Sequence, residues 1–342
     1  MEIKNIKQTV ASEQYDFLRK NEHLGNNIIL LTLGGSYAYG TNNEGSDLDV
    51  RGCALNSKRE ILTNENFEQF TNEETDTTIY SFNKLITLLS NCNPNTIEML
   101  GNKPEHYLQV SKIGQEMLDN KKLFLSKRAI HSFGGYANQQ LRRLQNALAH
   151  DKYPQEEKEE HILGTLNSTM YDFAARYTNF EEGKIKLYVD KTKKAEFNTE
   201  IFMDINLNHY PLRDYKGMWS EMQSIVKSYD KLGQRNSKKD DAHLNKHAMH
   251  LVRLYLMCLD ILENEQIVTY REKEHDLLMY IRNGKYQKSD GTFYNEFFEM
   301  VDEFEKKMKY AAENTSLPKT PNYKAITEFS MSVNERVVRG EF

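Results

Sequence analysis

Residues 33–52 read LGGSYAYGTNNEGSDLDVRG, a glycine-serine turn followed at close range by two aspartates at strand spacing. Upstream, residues 27–32 form an apolar run of strand length, rich in Ile and Leu, that stops at Gly34-Gly35-Ser36. Glycines at such a stop permit close backbone approach. A short helix opened by Ser36 would present its hydroxyl and free backbone N–H groups to an anion such as a triphosphate, which the positive end of the helix dipole favours. Tyr37, Ala38 and Tyr39 are expected to form that helical turn and Gly40 to end it. After a polar loop at 41–46 comes Asp47-Leu48-Asp49-Val50, where the two-residue period of a strand sends both carboxylates to one face. Neighbouring acids repel, and a divalent cation is the natural reason to tolerate them. Hard oxygen ligands suit magnesium or manganese, which share their coordination with substrate phosphates. Gly-Gly-Ser alone and Asp-x-Asp alone are weak signals; a strand before the first and a strand under the second make the combination specific.

This arrangement resembles the DNA polymerase beta-like nucleotidyltransferase superfamily, whose pattern is Gly-Ser, a short helix, then Ser-Asp-x-Asp on the next strand. Gly35, Ser36, Gly40, Ser46, Asp47 and Asp49 fall on it, while Ala38-Tyr39-Gly40 and Arg51-Gly52 look like the subfamily of predicted nucleotidyltransferases associated with RNA repair. The resemblance implies an α+β fold, with a small mixed sheet and helices as the catalytic core and a mainly helical domain after it. It also implies a third carboxylate on a neighbouring strand, which completes the metal site and can deprotonate the attacking hydroxyl. Asp76 is the candidate, because it opens the β-branched segment Asp76-Thr77-Thr78-Ile79-Tyr80; Glu73 and Glu74 compete but read as turn residues. Beyond it, Phe82, Leu85, Ile86 and Leu89 have helical spacing, with Ser81 as N-cap.

Size and composition bound the remainder. At 342 residues, 39% hydrophobic and 11% aromatic, the chain exceeds one ordinary core and can fill two. Strands and helices alternate up to about 125, and helical spacing dominates from 126 to 342. A catalytic domain at 1–125 and a helical nucleotide- and acceptor-binding domain at 126–342 are expected, the latter with a β-containing insert near 184–206. No apolar stretch is long enough to cross a bilayer, and the N-terminal MEIKNIKQ lacks a signal-peptide layout, so the cytoplasm is expected. Cys53, Cys92 and Cys258 are widely spaced and odd in number, which reads as buried thiols. Glu98, after the turn Asn93-Pro94-Asn95, reads as a helix-surface carboxylate in preference to a substrate contact.

The net charge of −5 argues against an indiscriminate nucleic-acid binder. Residues 184–194 nevertheless hold five lysines with Asp190 as the sole acid. With Tyr188 among them, this segment reads as a solvated lysine-rich hairpin or as a stacking-plus-charge contact to single-stranded RNA. In a helix at about 240–263, Leu244, Ala248, Leu251, Tyr255, Leu259 and Leu262 define a buried stripe. Beside it run Lys239, His243, Lys246, His250 and Arg253, a stripe without one acid, which hints at a bound anion. The resembling superfamily closes such a helix over the nucleotide. Lys246 and Arg253 would then reach the triphosphate, with His247 and His250 orienting them. Three zinc ligands at His243, His247 and His250 are disfavoured, since no second-shell carboxylate is identifiable. A helix at 127–148 contains Gly134-Gly135, which costs roughly 2 kcal/mol relative to alanines and points to a close neighbour or to ordinary packing. The tail after Ser316 is expected to cap the helical domain or to lie loose.

Together these readings give nucleotidyl transfer. An NTP docks its β and γ phosphates on Gly35 and Ser36; two magnesium or manganese ions are clamped by Asp47 and Asp49, with Asp76 on the metal that meets the acceptor; an acceptor hydroxyl attacks the α-phosphorus. An RNA end is the first choice of acceptor. Adenylylation of a protein or small molecule is the alternative, and a non-catalytic nucleotide-binding regulator or antitoxin is the reading from another class, which the intact acids count against.

Overall fold

Ile28–Leu33 (β1) is buried at every position, as a strand covered on both faces must be. The computed structural model describes residues 3–63, 65–150, 185–191, 199–205, 211–213, 215–216, 219–220, 223, 241–289 and 291–342. From β1 the chain enters the short helix Gly35–Tyr39 (α1) and returns as Val50–Ala54 (β2). It continues through the hairpin Gln69–Asn72 (β3) and Thr77–Ser81 (β4) into helix Phe82–Ser90 (α2), and then adds Tyr107–Val110 (β5). Sheet order is β3-β4-β2-β1-β5, with β2 parallel to β4 and the other pairs antiparallel. This mixed sheet with helices is the expected α+β core.

Local chemistry explains the elements that frame the site. Ser81 accepts a hydrogen bond from the Lys84 N–H at 3.2 Å and so caps α2, whose Phe82, Leu85, Ile86 and Leu89 are all buried, as their spacing predicts. Ile6, Leu18, Leu31, Val50 and Ile79 belong to one apolar cluster under the sheet. Val50 pairs with Thr77 in the parallel register, and its N–H donates to the Asp76 carbonyl at 3.2 Å, so the residues before these two strands are neighbours.

Helices follow: Arg128–His150 (α3), then, beyond the hairpin Ile185–Lys191 (β6) and Thr199–Ile205 (β7), Asp241–Asn264 (α4), His275–Arg282 (α5), Asn295–Asn314 (α6) and Tyr323–Arg339 (α7). The chain divides into two compact units, Met1–Leu141 with Asn245–Phe342, and Arg142–Leu244. That division is drawn differently from a single boundary near 125, because the C-terminal helices share a unit with the sheet. Helix α7 shows why. Phe329 meets Phe82 edge-on at 5.9 Å, Asn334 donates to Asn83 at 3.2 Å, and Arg336 makes two bonds to Glu116, 2.8 and 2.6 Å long. The tail is thus neither loose nor a cap on helices alone; it is docked beside α2.

In the second unit, β6 and β7 pair antiparallel, with Lys186 opposite Asp204 and Asp190 opposite Glu200, while the Tyr188 hydroxyl donates to Asp204 at 3.3 Å. Lys184, Lys193, Lys194 and Lys239 lie outside the described residues, as do the side chains of Arg142, Arg143 and Leu148. A Cβ on Gly134 would meet the Met308 methyl at 3.1 Å, whereas one on Gly135 meets nothing within 4 Å, so the first glycine serves ordinary helix packing. All three cysteines are free and buried. Among the described residues no helix is long and apolar enough to cross a membrane.

Candidate active site

The turn after β1 behaves as its composition predicts, and it does more. Gly34 caps α1 and Gly40 ends it in the left-handed region at φ 77°. Gly35 is also left-handed, at φ 54°, and a Cβ there would lie 1.7 Å from Asp49 Oδ2. One on Gly34 would lie 2.9 Å from Arg51 Cγ. The close approach that requires both glycines is therefore made by the acid and the arginine of the next strand. Ser36, the second residue of α1, stands one residue further along this half-exposed edge.

The acids are not arranged as the strand period predicts. Regular pairing begins at Val50, and Asp47 sits on the preceding loop with its side chain exposed. Only Asp49 is drawn toward the sheet, since its carbonyl accepts from the Gly34 N–H at 2.9 Å. Asp76 occupies the end of the β3–β4 turn at φ 42°, a left-handed conformation that an aspartate tolerates better than a β-branched residue. The parallel register then puts Asp76 beside Asp49. Arg51 joins them: its Nη2 lies 3.2 Å from Asp49 Oδ1 and 3.0 Å from Asp76 Oδ1. Among the described residues no group of three or more His, Cys, Asp or Glu side chains gathers that could hold a metal ion. Glu73 and Glu74 are exposed turn residues.

Burial, and then the hydrogen bond with Asp76, push the Asp49 carboxyl up to about 7, although Arg51 and Lys246 pull it down. The same hydrogen bond holds Asp76 below the usual carboxylate range. Two carboxylates that converge on one cationic nitrogen offer hard oxygen donors that fit a magnesium or manganese ion.

Helix α4 reaches this pair, but its basic stripe is graded. His243 and Lys246 are exposed, His247 and His250 are half-buried, and Arg253 is enclosed. Lys246 is close enough to lower both acids electrostatically. Arg253 does not present its guanidinium to a phosphate as expected. It lies 3.1 Å from Glu98 Oε2, 2.9 Å from His250 Nδ1 and 3.6 Å above the Tyr39 ring. Glu98 in turn accepts from the Tyr39 hydroxyl at 2.9 and 3.0 Å, so it is a buried partner and not a helix-surface carboxylate. Burial pushes its carboxyl up while Arg253 opposes the shift. His247 faces Gln140 at 3.1 Å, a different partner from that of His250. The signal missed in sequence was the setting: Arg253 is embedded in a stretch that is apolar on nearly every side, from Leu251 to Leu262, and such a helix is buried all round.

A second missed feature is a strap from the C-terminal part. Tyr270 packs on Gly40, where a Cβ would be 2.5 Å from the ring, and Lys103 Nζ lies 3.6 Å from the centroid of that ring. The Arg271 N–H donates to the Tyr39 carbonyl at 3.1 Å, and its guanidinium pairs with Asp260 at 2.6 Å. Arg282 donates to the Thr41 carbonyl and, at 3.2 Å, to Ser46 Oγ, holding the loop that carries Asp47. The motif's short helix and its loop are thereby pinned from outside.

No curated protein and no solved structure matches the chain. The sequence pattern of the RNA repair pathway DNA polymerase beta family, in contrast, matches residues 6–332, which takes in the sheet, the acids, the strap and most of α7. The chain belongs to that family of nucleotidyltransferases.

Proposed function

We propose that the chain moves a nucleoside monophosphate from an NTP to the hydroxyl of an RNA end. The observation that carries this reading is the meeting of Asp49 and Asp76 around a cationic group, beside the Gly35–Ser36 turn and within reach of Lys246. Asp49 and Asp76 would hold magnesium or manganese, with Asp47 on the adjoining loop as a further donor. Bound there, such a cation supplies charge neutralisation at the phosphates and acidifies the acceptor hydroxyl.

The protein's own groups set the geometry. Backbone N–H groups of Gly35 and Ser36, at the positive end of α1, seat the β and γ phosphates. Lys246 adds a mobile charge over them. Asp76 takes the acceptor proton at its carboxylate. Beneath the site, Arg253, itself bonded to His250, holds Glu98 and Tyr39 and so braces α1 under the phosphates. The RNA acceptor is favoured by the family's assignment to RNA repair, and a reaction on NTP and RNA ends belongs in the cytoplasm.

Purified chain, labelled NTPs and magnesium, offered in turn RNA, whole-cell protein and no acceptor, test the proposal. Label should pass to RNA, and Asp49→Asn or Asp76→Asn should abolish transfer with unchanged circular dichroism. Near-normal transfer by either variant would refute the site; label on protein would refute the acceptor.

A further inference from the structure

Arg51 occupies the point that a cation shared by Asp49 and Asp76 would need. A single nitrogen, Nη2, is within 3.2 Å of one Oδ1 and 3.0 Å of the other, while Nη1 donates to the Val50 carbonyl at 3.1 Å and to that of Asp76. We propose that Arg51 is an internal place-holder, which keeps the two acids assembled before a divalent cation arrives and is displaced by that cation onto the phosphates at the Gly35–Ser36 turn. The proposal rests on the nucleotidyl-transfer reading given above.

Three observations support it. First, occupancy is exclusive: a magnesium ion needs those oxygens at about 2.0–2.1 Å, and a guanidinium nitrogen bonded to both stands in its way. Second, the acids need a partner in the metal-free state. Asp76 lies on a turn with its side chain about half exposed, and the Arg51 bonds to its carboxylate and to its carbonyl tie it beside Asp49. Third, the exit path is short. The Arg51 stem runs along Gly34, where a Cβ would come within 2.9 Å of Cγ and 3.6 Å of Nε. The guanidinium therefore lies next to the turn to which it would move. Its planar fork matches phosphate oxygens as well as carboxylates. Arg253 cannot substitute, since it is committed to Glu98.

A place-holder has a signature opposite to that of a supporting residue: its removal tightens metal binding. The test is titration of the full chain with Mn²⁺ alone, without nucleotide, by isothermal calorimetry. Arg51→Met, which keeps the stem on Gly34, should bind Mn²⁺ about tenfold more tightly than the wild type, the equivalent of one charge-assisted hydrogen bond that no longer has to be broken. Adding Asp49→Asn to Arg51→Met should remove that binding. In EDTA the order reverses, and Arg51→Met should unfold at a lower temperature than the wild type. Unchanged or weaker Mn²⁺ affinity in folded Arg51→Met overturns the proposal. Should that variant fail to fold, the wild type itself decides: the Arg51 guanidinium resonance in NMR, assigned through Arg51→Lys, should move as Mg²⁺ saturates the site, and a signal that stays fixed overturns it. If the wild type shows no Asp49-dependent binding at all, the nucleotidyl-transfer reading falls and this inference with it.

Discussion

Replacing Arg253 by Met removes the guanidinium that holds Glu98, and the consequence can be worked from burial. The two side chains are only 1% and 8% exposed, so water cannot take over the lost partner. Breaking one side of such a pair costs about 3–5 kcal/mol, because a carboxylate is left buried without counter-charge. In a unit of this size each kcal/mol lowers the midpoint by roughly 2–4 °C, which gives a fall of about 6–20 °C. The double change Glu98→Leu with Arg253→Met removes both charges and should recover most of that loss, since apolar replacement of a buried pair is often neutral. A pH dependence follows as well. Burial already raises the Glu98 carboxyl above its ordinary 4.5, and without Arg253 it rises further. Above 4.5 the folded variant then keeps a proton that the unfolded chain has released. Its stability is therefore fullest below 4.5 and declines as pH rises through the raised folded value. Thermal unfolding from pH 5 to 8 should show the gap between variant and wild type widening toward neutrality. Additive losses in the double variant, or a gap that does not change with pH, would refute the coupling on which the placement of α1 depends.

Three further outcomes can be measured. Gly35→Ala places a methyl 1.7 Å from Asp49 Oδ2 at a φ of 54°; the backbone penalty is about 1–2 kcal/mol, but displacement of the acid should lower nucleotidyl transfer at least about a hundredfold, and transfer near the wild-type rate would count against the glycine's role. Burial holds the His106 ring below its ordinary 6.5, so the unfolded chain takes up a proton first on acidification. Stability should fall as pH drops through that ordinary value, and His106→Phe should flatten this part of a calorimetric profile between pH 5 and 7.5. Glu116 is held low by its bonds to Arg336, so the contribution of this pair is present above 4.5 and lost on acidification. As both side chains are partly exposed, at 42% and 28%, Glu116→Gln should cost no more than about 1 kcal/mol, and less in high salt by denaturant titration.

What was legible in sequence was local. The apolar run of β1, the glycine stop, the αL end at Gly40, the Ser81 cap and the periodicity of α2 each depend on a few adjacent residues, and each is found. The resemblance to RNA-repair nucleotidyltransferases was read from residues 33–52, and the family pattern matches residues 6–332. The features that escaped are set by contacts far along the chain: Glu98 meets Arg253 across 155 positions, and Arg282 meets Ser46 across 236. Yet Arg51 was within reach of the rule already in use. The two-residue period applied to Asp47 and Asp49 applies with more right to Asp49 and Arg51, because regular pairing begins only at Val50.

That shift of the pattern by one step changes the electrostatics. One face of the site then presents Asp49, Arg51 and, from the neighbouring strand, Asp76, with Lys246 above. Two acids are balanced by two cations, while Arg253, among the described residues, is committed to Glu98. A triphosphate entering this site would meet the exposed Lys246, while Arg51 is bonded to the acids. On the place-holder proposal, Arg51 turns from the acids to the phosphates and the acids then receive positive charge from elsewhere. On the proposed reading both are met together when the nucleotide brings its own divalent cations, so that metal dependence and release of Arg51 would be one property of the strand and not two.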